Sequence, residues 1–227
     1  MPPWIDNHVC DQNAQSSVFD EELMQVDGLT WLPWVGRLYH EGGLLVIGES
    51  DYAKKDMETD NETPCQHIMG DRNFIRKVVD RFGIHADGWN PTIGNIRSVL
   101  LRKGDCACDS FFRIAFMDFC QRAMAREEGE SPTEQDFITG LPVVKKVIQV
   151  LKPSVILVAG VKSAKAVHNQ IEIVKVGSPV NGCYPCLGSI EGIDCVFIRH
   201  PGRYFIPLLC RDFLHEQYGN RIVVKED

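Results

Sequence analysis

Four apolar runs limit what this chain can fold into. They are "LLVIG" (44–48), "FFRIAFMDF" (111–119), "SVILVAG" (154–160) and "DCVFIRH" (194–200). A strand with one wet face alternates apolar and polar residues. These runs barely alternate, so they read as strands covered on both faces. Helical patterns separate them. Phe74, Ile75, Val78, Val79 and Phe82 recur at helical spacing over 71–84, with Gly83 as terminator. A second helix is expected over 90–104. Residues 131–153 open with Ser131 as N-cap, Pro132 at the first position and Glu134 closing a capping box, and they stop before Pro153. "VKSAKAVHNQI" (161–171) and "IPLLCRDFLHEQYG" (206–219) complete the set. Apolar strands alternating with helices predict an α/β fold: three layers, α/β/α, around a central four-stranded, mostly parallel sheet. Residues 1–28 are polar and read as an N-terminal arm. Residues 29–227 read as one domain, with "LTWLPWVGRLY" (29–39) as a loop and short helix and 53–70 as a long charged loop.

In such sheets the site lies beyond the carboxyl ends of the strands. Asp51 with Tyr52, Asp118 and His200 are the polar residues at three of those ends. Taken singly, each has a structural reading. Asp51 and Asp118 can be helix caps, Tyr52 can be a packing residue, and His200 before Pro201-Gly202 can simply end a strand.

Composition narrows the class. The 227 residues carry a net charge of −7, which argues against a strongly basic nucleic-acid binder and leaves local patches open. Nine cysteines at irregular spacing fit a reducing cytoplasm. No eighteen-residue apolar run and no signal-peptide pattern is present, so no membrane partner is expected. Cys106-Ala107-Cys108 and Cys183-Tyr184-Pro185-Cys186 are close pairs, but CxC combines poorly with CxxC as a metal site. Free thiols, no metal and no cofactor are expected. "VAGVKSAKAVHN" (158–169) lacks the phosphate-loop pattern, so a nucleotide-dependent enzyme is not expected.

"GESDY" (48–52), "AFMDF" (115–119) and "HPGRY" (200–204) together resemble the three site motifs of the uracil-DNA glycosylase superfamily. "LPWVG" and "LKPSVILVAG" resemble the flanks in its bacterial members, and the likeness spans about 29–218. The resemblance implies a monofunctional DNA glycosylase, acting as a monomer on double- or single-stranded DNA. It places Asp51, Ser50 and His200 in catalysis. Asp118, Tyr52, Gly48 and Glu49 fall at the base, and Arg203, Tyr204, Gly202, Lys162 and Lys165 against DNA. The family's water-activating residue falls at Ser50 here, so either Asp51 has taken over that role or Ser50 positions the water.

Position 118 departs from the family, whose uracil-removing members usually carry Asn there. Ionised Asp only accepts, and cytosine offers an N4 amine to accept from, for about 1–3 kcal/mol of discrimination. The clash at cytosine N3 disappears if a proton is shared there. The expected substrate is therefore a cytosine-type base. Removing plain cytosine would destroy the host genome, so a 5-modified cytosine of phage DNA, removed in antiviral defence, is the coherent version. Two alternatives stand beside it: a uracil-repair glycosylase with Asp118 protonated, and a non-catalytic binding module.

Overall fold

The computed structural model describes residues 13–53, 64–88, 90–101, 105–106, 108–125, 129–202 and 204–222. Its strands are β1 (Trp34–Val35), β2 (Leu44–Gly48), β3 (Tyr52–Ala53), β4 (Ile114–Asp118), β5 (Met124–Ala125), β6 (Val155–Ala159), β7 (Ile173–Lys175), β8 (Cys186–Ile190) and β9 (Ile193–Ile198). Its helices are α1 (Asp20–Met24), α2 (Pro64–Gly70), α3 (Phe74–Val79, running into a π turn at Asp80–Ile84), α4 (Pro91–Leu100), α5 (Asp109–Phe112), α6 (Glu134–Leu151), α7 (Val161–Val167) and α8 (Pro207–Tyr218).

The chain is α/β, and the four apolar runs sit where continuous hydrophobicity puts them. β4, β2, β6 and β9 are adjacent and parallel at the centre of the main sheet. Side chains alternate between two cores. Leu44 and Val46 join α3, α4 and α8 on one face, and Leu45 and Ile47 join α6 and α7 on the other. Each such buried side chain contributes about 1.5–3 kcal/mol relative to exposure, which fixes these strands in the middle.

The sheet itself corrects the four-stranded expectation. It has seven strands, ordered β1-β4-β2-β6-β9-β8-β7, and it is mixed. β1 pairs antiparallel with β4, and β8 and β7 add antiparallel beyond β9. These edge strands are short or carry exposed residues, so they lack the continuous apolar signature. β1 follows Pro33, a residue tolerated at a sheet edge. Glu191 (φ 53°) and Gly192 (φ 75°) form the two-residue turn that folds β8 onto β9.

Two local expectations also change. Phe111 and Phe112 are helical, not strand. Their carbonyls are taken by Trp34 Nε1 (2.9 Å) and the Leu38 N–H (2.8 Å), which hold the turn against the β1 segment. The cap of α6 is Thr133, not Ser131. Its hydroxyl accepts from the Asp136 N–H, and Asp136 returns a bond to the Thr133 N–H. Asp136 can close that box because Arg122 holds it in place.

In the segment read as an arm, Leu23 is fully buried and Asp20 pairs with the buried Arg76 at 2.5–2.9 Å. Among the described residues, no helix is long and apolar enough to cross a membrane.

Candidate active site

β2 and β4 end side by side, with Gly48 opposite Asp118. The chain beyond β4 stays tied to β2. Phe119 N–H donates to the Gly48 carbonyl (2.9 Å) and Cys120 N–H to that of Glu49 (3.0 Å). Gln121 Nε2 donates to the Asp118 carbonyl (2.6 Å), and Thr30 holds Gln121 from below. α6 packs directly under this turn. A Cβ at Gly140 would lie 2.1 Å from the Phe119 carbonyl oxygen, so only glycine permits the approach.

This scaffold aims Asp118 into the protein rather than into solvent. The residue is 4% exposed, and among the described residues its Oδ2 has no hydrogen-bond partner. A Cβ at Gly48 would lie 2.3 Å from Asp118 Oδ1, so the carboxyl occupies space that any other residue at 48 would fill. The Asp118 carboxyl is held well above the usual carboxylate range. Burial is the largest cause, followed by the Asp51 charge, the hydrogen bond with Asp51, and the Glu49 charge. The shift favours the protonated form, in which Asp118 hydrogen-bonds with Asp51. Asp51 is half-buried, and its carbonyl accepts from the Met124 N–H (2.9 Å) as β3 pairs with β5.

Glu49 completes the acidic group. It is 8% exposed and lies across the end of β6, where a Cβ at Gly160 would sit 2.2 Å from its Cγ. Burial raises its pKa. The Lys162 charge and the Lys162 backbone N–H, which donates to it, pull it partly back. The Ser50 hydroxyl is buried without a hydrogen-bond partner among the described residues.

His200 follows β9, with β6 between it and the acids. Its Nδ1 accepts from the Gly202 N–H at 3.1 Å, which assigns the proton of the neutral ring to Nε2. Burial, then the Lys162 charge, lowers its pKa to about 4. Asn95 of α4 braces the same loop by donating to the Pro201 carbonyl (2.7 Å). Lys162 acts on both Glu49 and His200, so these groups share one electrostatic neighbourhood.

The remaining expected residues divide. Tyr52 is half-buried and packs against the α6-side core. Tyr204 is 86% exposed and sits at φ 54°, a conformation uncommon for a non-glycine residue. Arg203 lies outside the described residues, as does the 54–63 part of the charged loop. Lys165 lines a different cleft, between α7 and the β7 and β8 strands.

Sequence reasoning missed Gly160, Gln121, Thr30 and Asn95. Each acts only through a contact made across the fold, and none belongs to a local pattern. Of the eight described cysteines none is in a disulfide, and burial raises the thiols of Cys120, Cys195 and Cys210. Among the described residues, no three His, Cys, Asp or Glu side chains are grouped as metal ligands.

A cavity of about 370 Å³ opens at the amino-terminal ends of β2 and β4, beside Gly42 and Gly43. Its two guanidiniums are already satisfied, Arg113 by Asp105 and Arg221 by Asp194 at 2.9 Å. The acids without a guanidinium therefore lie at the strand ends, among the described residues, with the neutral imidazole of His200 two strands away. No protein-family model matches the chain, and no curated protein matches it.

Proposed function

We propose that the chain is a DNA glycosylase of the uracil-DNA glycosylase type, hydrolysing the bond between deoxyribose C1′ and a pyrimidine N1. The observation that carries this reading is Asp118: a buried carboxyl with a raised pKa and an unpartnered Oδ2, hydrogen-bonded to a second acid at the end of a parallel sheet. An acid held this way is costly to the fold, and perturbed groups of this kind concentrate at functional sites.

The substrate base leaves the helix and enters beyond the strand ends, at a cost of a few kcal/mol. Against a cytosine-type ring, protonated Asp118 donates to N3 and accepts from the N4 amine. His200 donates from Nε2 to O2, where negative charge grows as the C1′–N1 bond breaks. Its pKa of about 4 keeps it a neutral donor at physiological pH. Asp51 orients the water that supplies hydroxide to C1′, and the water's remaining proton balances the departing base. The product is an abasic site. Tyr204, exposed and held at positive φ in the loop that carries His200, fits a group presented to DNA. The cytosine is 5-modified, as in phage DNA, because excision of the ordinary base would degrade the host genome.

The raised pKa of Asp118 also favours a second reading. A neutral acid matches uracil by donating to O4 and accepting from N3–H, as Asn does. Duplex and single-stranded oligonucleotides carrying one cytosine, 5-hydroxymethylcytosine, its glucosylated form or uracil separate the readings after alkali treatment. Strand breaks at the modified cytosines are expected. Breaks at uracil alone would transfer the assignment to uracil repair, and intact strands throughout would leave a non-catalytic module.

A further inference from the structure

A second cleft, of about 450 Å³, lies between α7 and the β7–β8 hairpin. That size is ordinary for a small-molecule site, which spans about 300–1,000 Å³. α7 turns one stripe toward it: Val161, Ala164, Lys165 and His168, at the spacing of one helical face. Lys162 falls off this stripe, and its N–H serves Glu49 instead. The opposite wall comes from the edge strand. Ile173 and Lys175 alternate onto the cleft face, and Val174 between them is 59% exposed.

Lys175 pairs in register with Cys186, which forms the buried floor. Burial raises the Cys186 thiol, and Lys175 and then Lys165 oppose the rise, so both ammoniums bear on the floor. Tyr184 stands at the mouth, 52% exposed. It is held by the tight turn in which Val180 and Cys183 exchange backbone hydrogen bonds at 2.8 and 3.0 Å.

The chemistry of these walls is selective. No Asp or Glu lines the cleft, in a chain of net charge −7. Neither Lys165 nor Lys175 forms an ion pair among the described residues. Two uncommitted cations ask for an anion, and apolar walls with an exposed phenol ask for a flat ring. We infer that this cleft binds a nucleotide, with the phosphate between Lys165 and Lys175 and the base against Tyr184. The site is separate from the acids at the strand ends and does not depend on base excision there.

Calorimetric titration of the whole protein at low salt tests it, with dAMP, a purine that the strand-end site is not proposed to read, as the free-nucleotide probe and a short single-stranded oligodeoxynucleotide as the strand probe. Saturable one-to-one binding of dAMP is expected. A Lys165→Glu/Lys175→Glu double variant should weaken it at least about tenfold, as expected when charge-assisted phosphate contacts are lost. Tyr184→Ala should weaken it several-fold, and Lys146→Glu, at a surface lysine that does not line the cleft, should leave it unchanged. All of these side chains are on the surface, and circular dichroism confirms that each variant folds. Binding of the oligonucleotide alone, lost in the lysine variant, also supports the site and assigns the nucleotide to a bound strand.

The inference is overturned if neither probe saturates, or if binding survives the lysine substitutions. It is equally overturned if ribose 5-phosphate binds as tightly as dAMP. Excision activity is a separate readout, so failure here and failure of the glycosylase reading are told apart.

Discussion

Two acidic clusters flank the turn between β4 and α6, and the protein treats them in opposite ways. Glu130 and Asp136 are neutralised. Arg122 reaches both, at 2.6 Å to Glu130 and at 2.5 and 2.9 Å to Asp136, and the Ala125 and Thr133 backbone N–H groups add further bonds. Hydrogen bonding to Arg122 holds Asp136 at about 2. The Ala125 N–H, then Arg122, lowers Glu130. Asp118 and Glu49 receive no guanidinium among the described residues, and burial raises both. Arg122 leaves the same turn as Asp118 and goes instead to Glu130 and Asp136. Proton affinity raised by burial in two acids at the end of a parallel sheet is the pattern of a functional site.

Removing the Asp51 carboxylate should separate the clusters most sharply. Asp51→Asn is expected to lower the single-turnover excision rate by about 10²- to 10⁴-fold, the usual contribution of a positioned general acid or base. An unchanged rate would reduce the strand-end cluster to structure.

The Gly48→Ala variant tests the packing that holds Asp118. The added methyl would lie 2.3 Å from Asp118 Oδ1. Urea denaturation should register a loss of about 1–3 kcal/mol. Wild-type stability would mean that Asp118 is free to move.

Titration should show opposite signs for the two clusters. Asp118 has a raised folded pKa, so the unfolded chain ionises first, from about pH 4 upward. Stability from this group is therefore lost as pH rises, until the folded carboxyl also ionises. Asp118→Asn removes the loss. Its advantage over the wild type should widen above pH 4, by at most about 1.4 kcal/mol per unit. Parallel curves would put Asp118 in its ordinary range.

Asp136 has a lowered folded pKa, so its contribution is present above about pH 4 and lost as pH falls toward 2. Arg122 is 39% exposed, so solvent screens the pair and Arg122→Ala should cost only about 1 kcal/mol at neutral pH. That cost should fade in acid, and thermal melts at pH 7 and pH 3 measure it.

The central strands were legible because residues such as Val46 and Leu157 are apolar on both faces, and only a doubly covered strand accommodates that. β7 and β8 were not. Val174 is exposed and Gly188 carries no side chain, so neither strand presents an apolar run. The helical turn at Phe111 was hidden for the opposite reason, since its apolar side chains match a strand and the contacts that bend it come from Trp34 and Leu38. Part of the candidate site was equally visible. Asp51, Asp118 and His200 stand at ends of apolar runs, and the topology brings those ends to one edge. The hydrogen bond between Asp118 and Asp51 was not visible, because it depends on burial and register.

Local sequence determined the elements of this protein: an apolar run long enough to be covered on both sides becomes a central strand wherever it falls, because transfer from water is a property of the side chains themselves. Proton affinity is not such a property. The same carboxyl type sits at about 2 beside Arg122 and far above its usual range beneath Gly48. Only the folded arrangement decides which charge, which N–H and how much water each one meets.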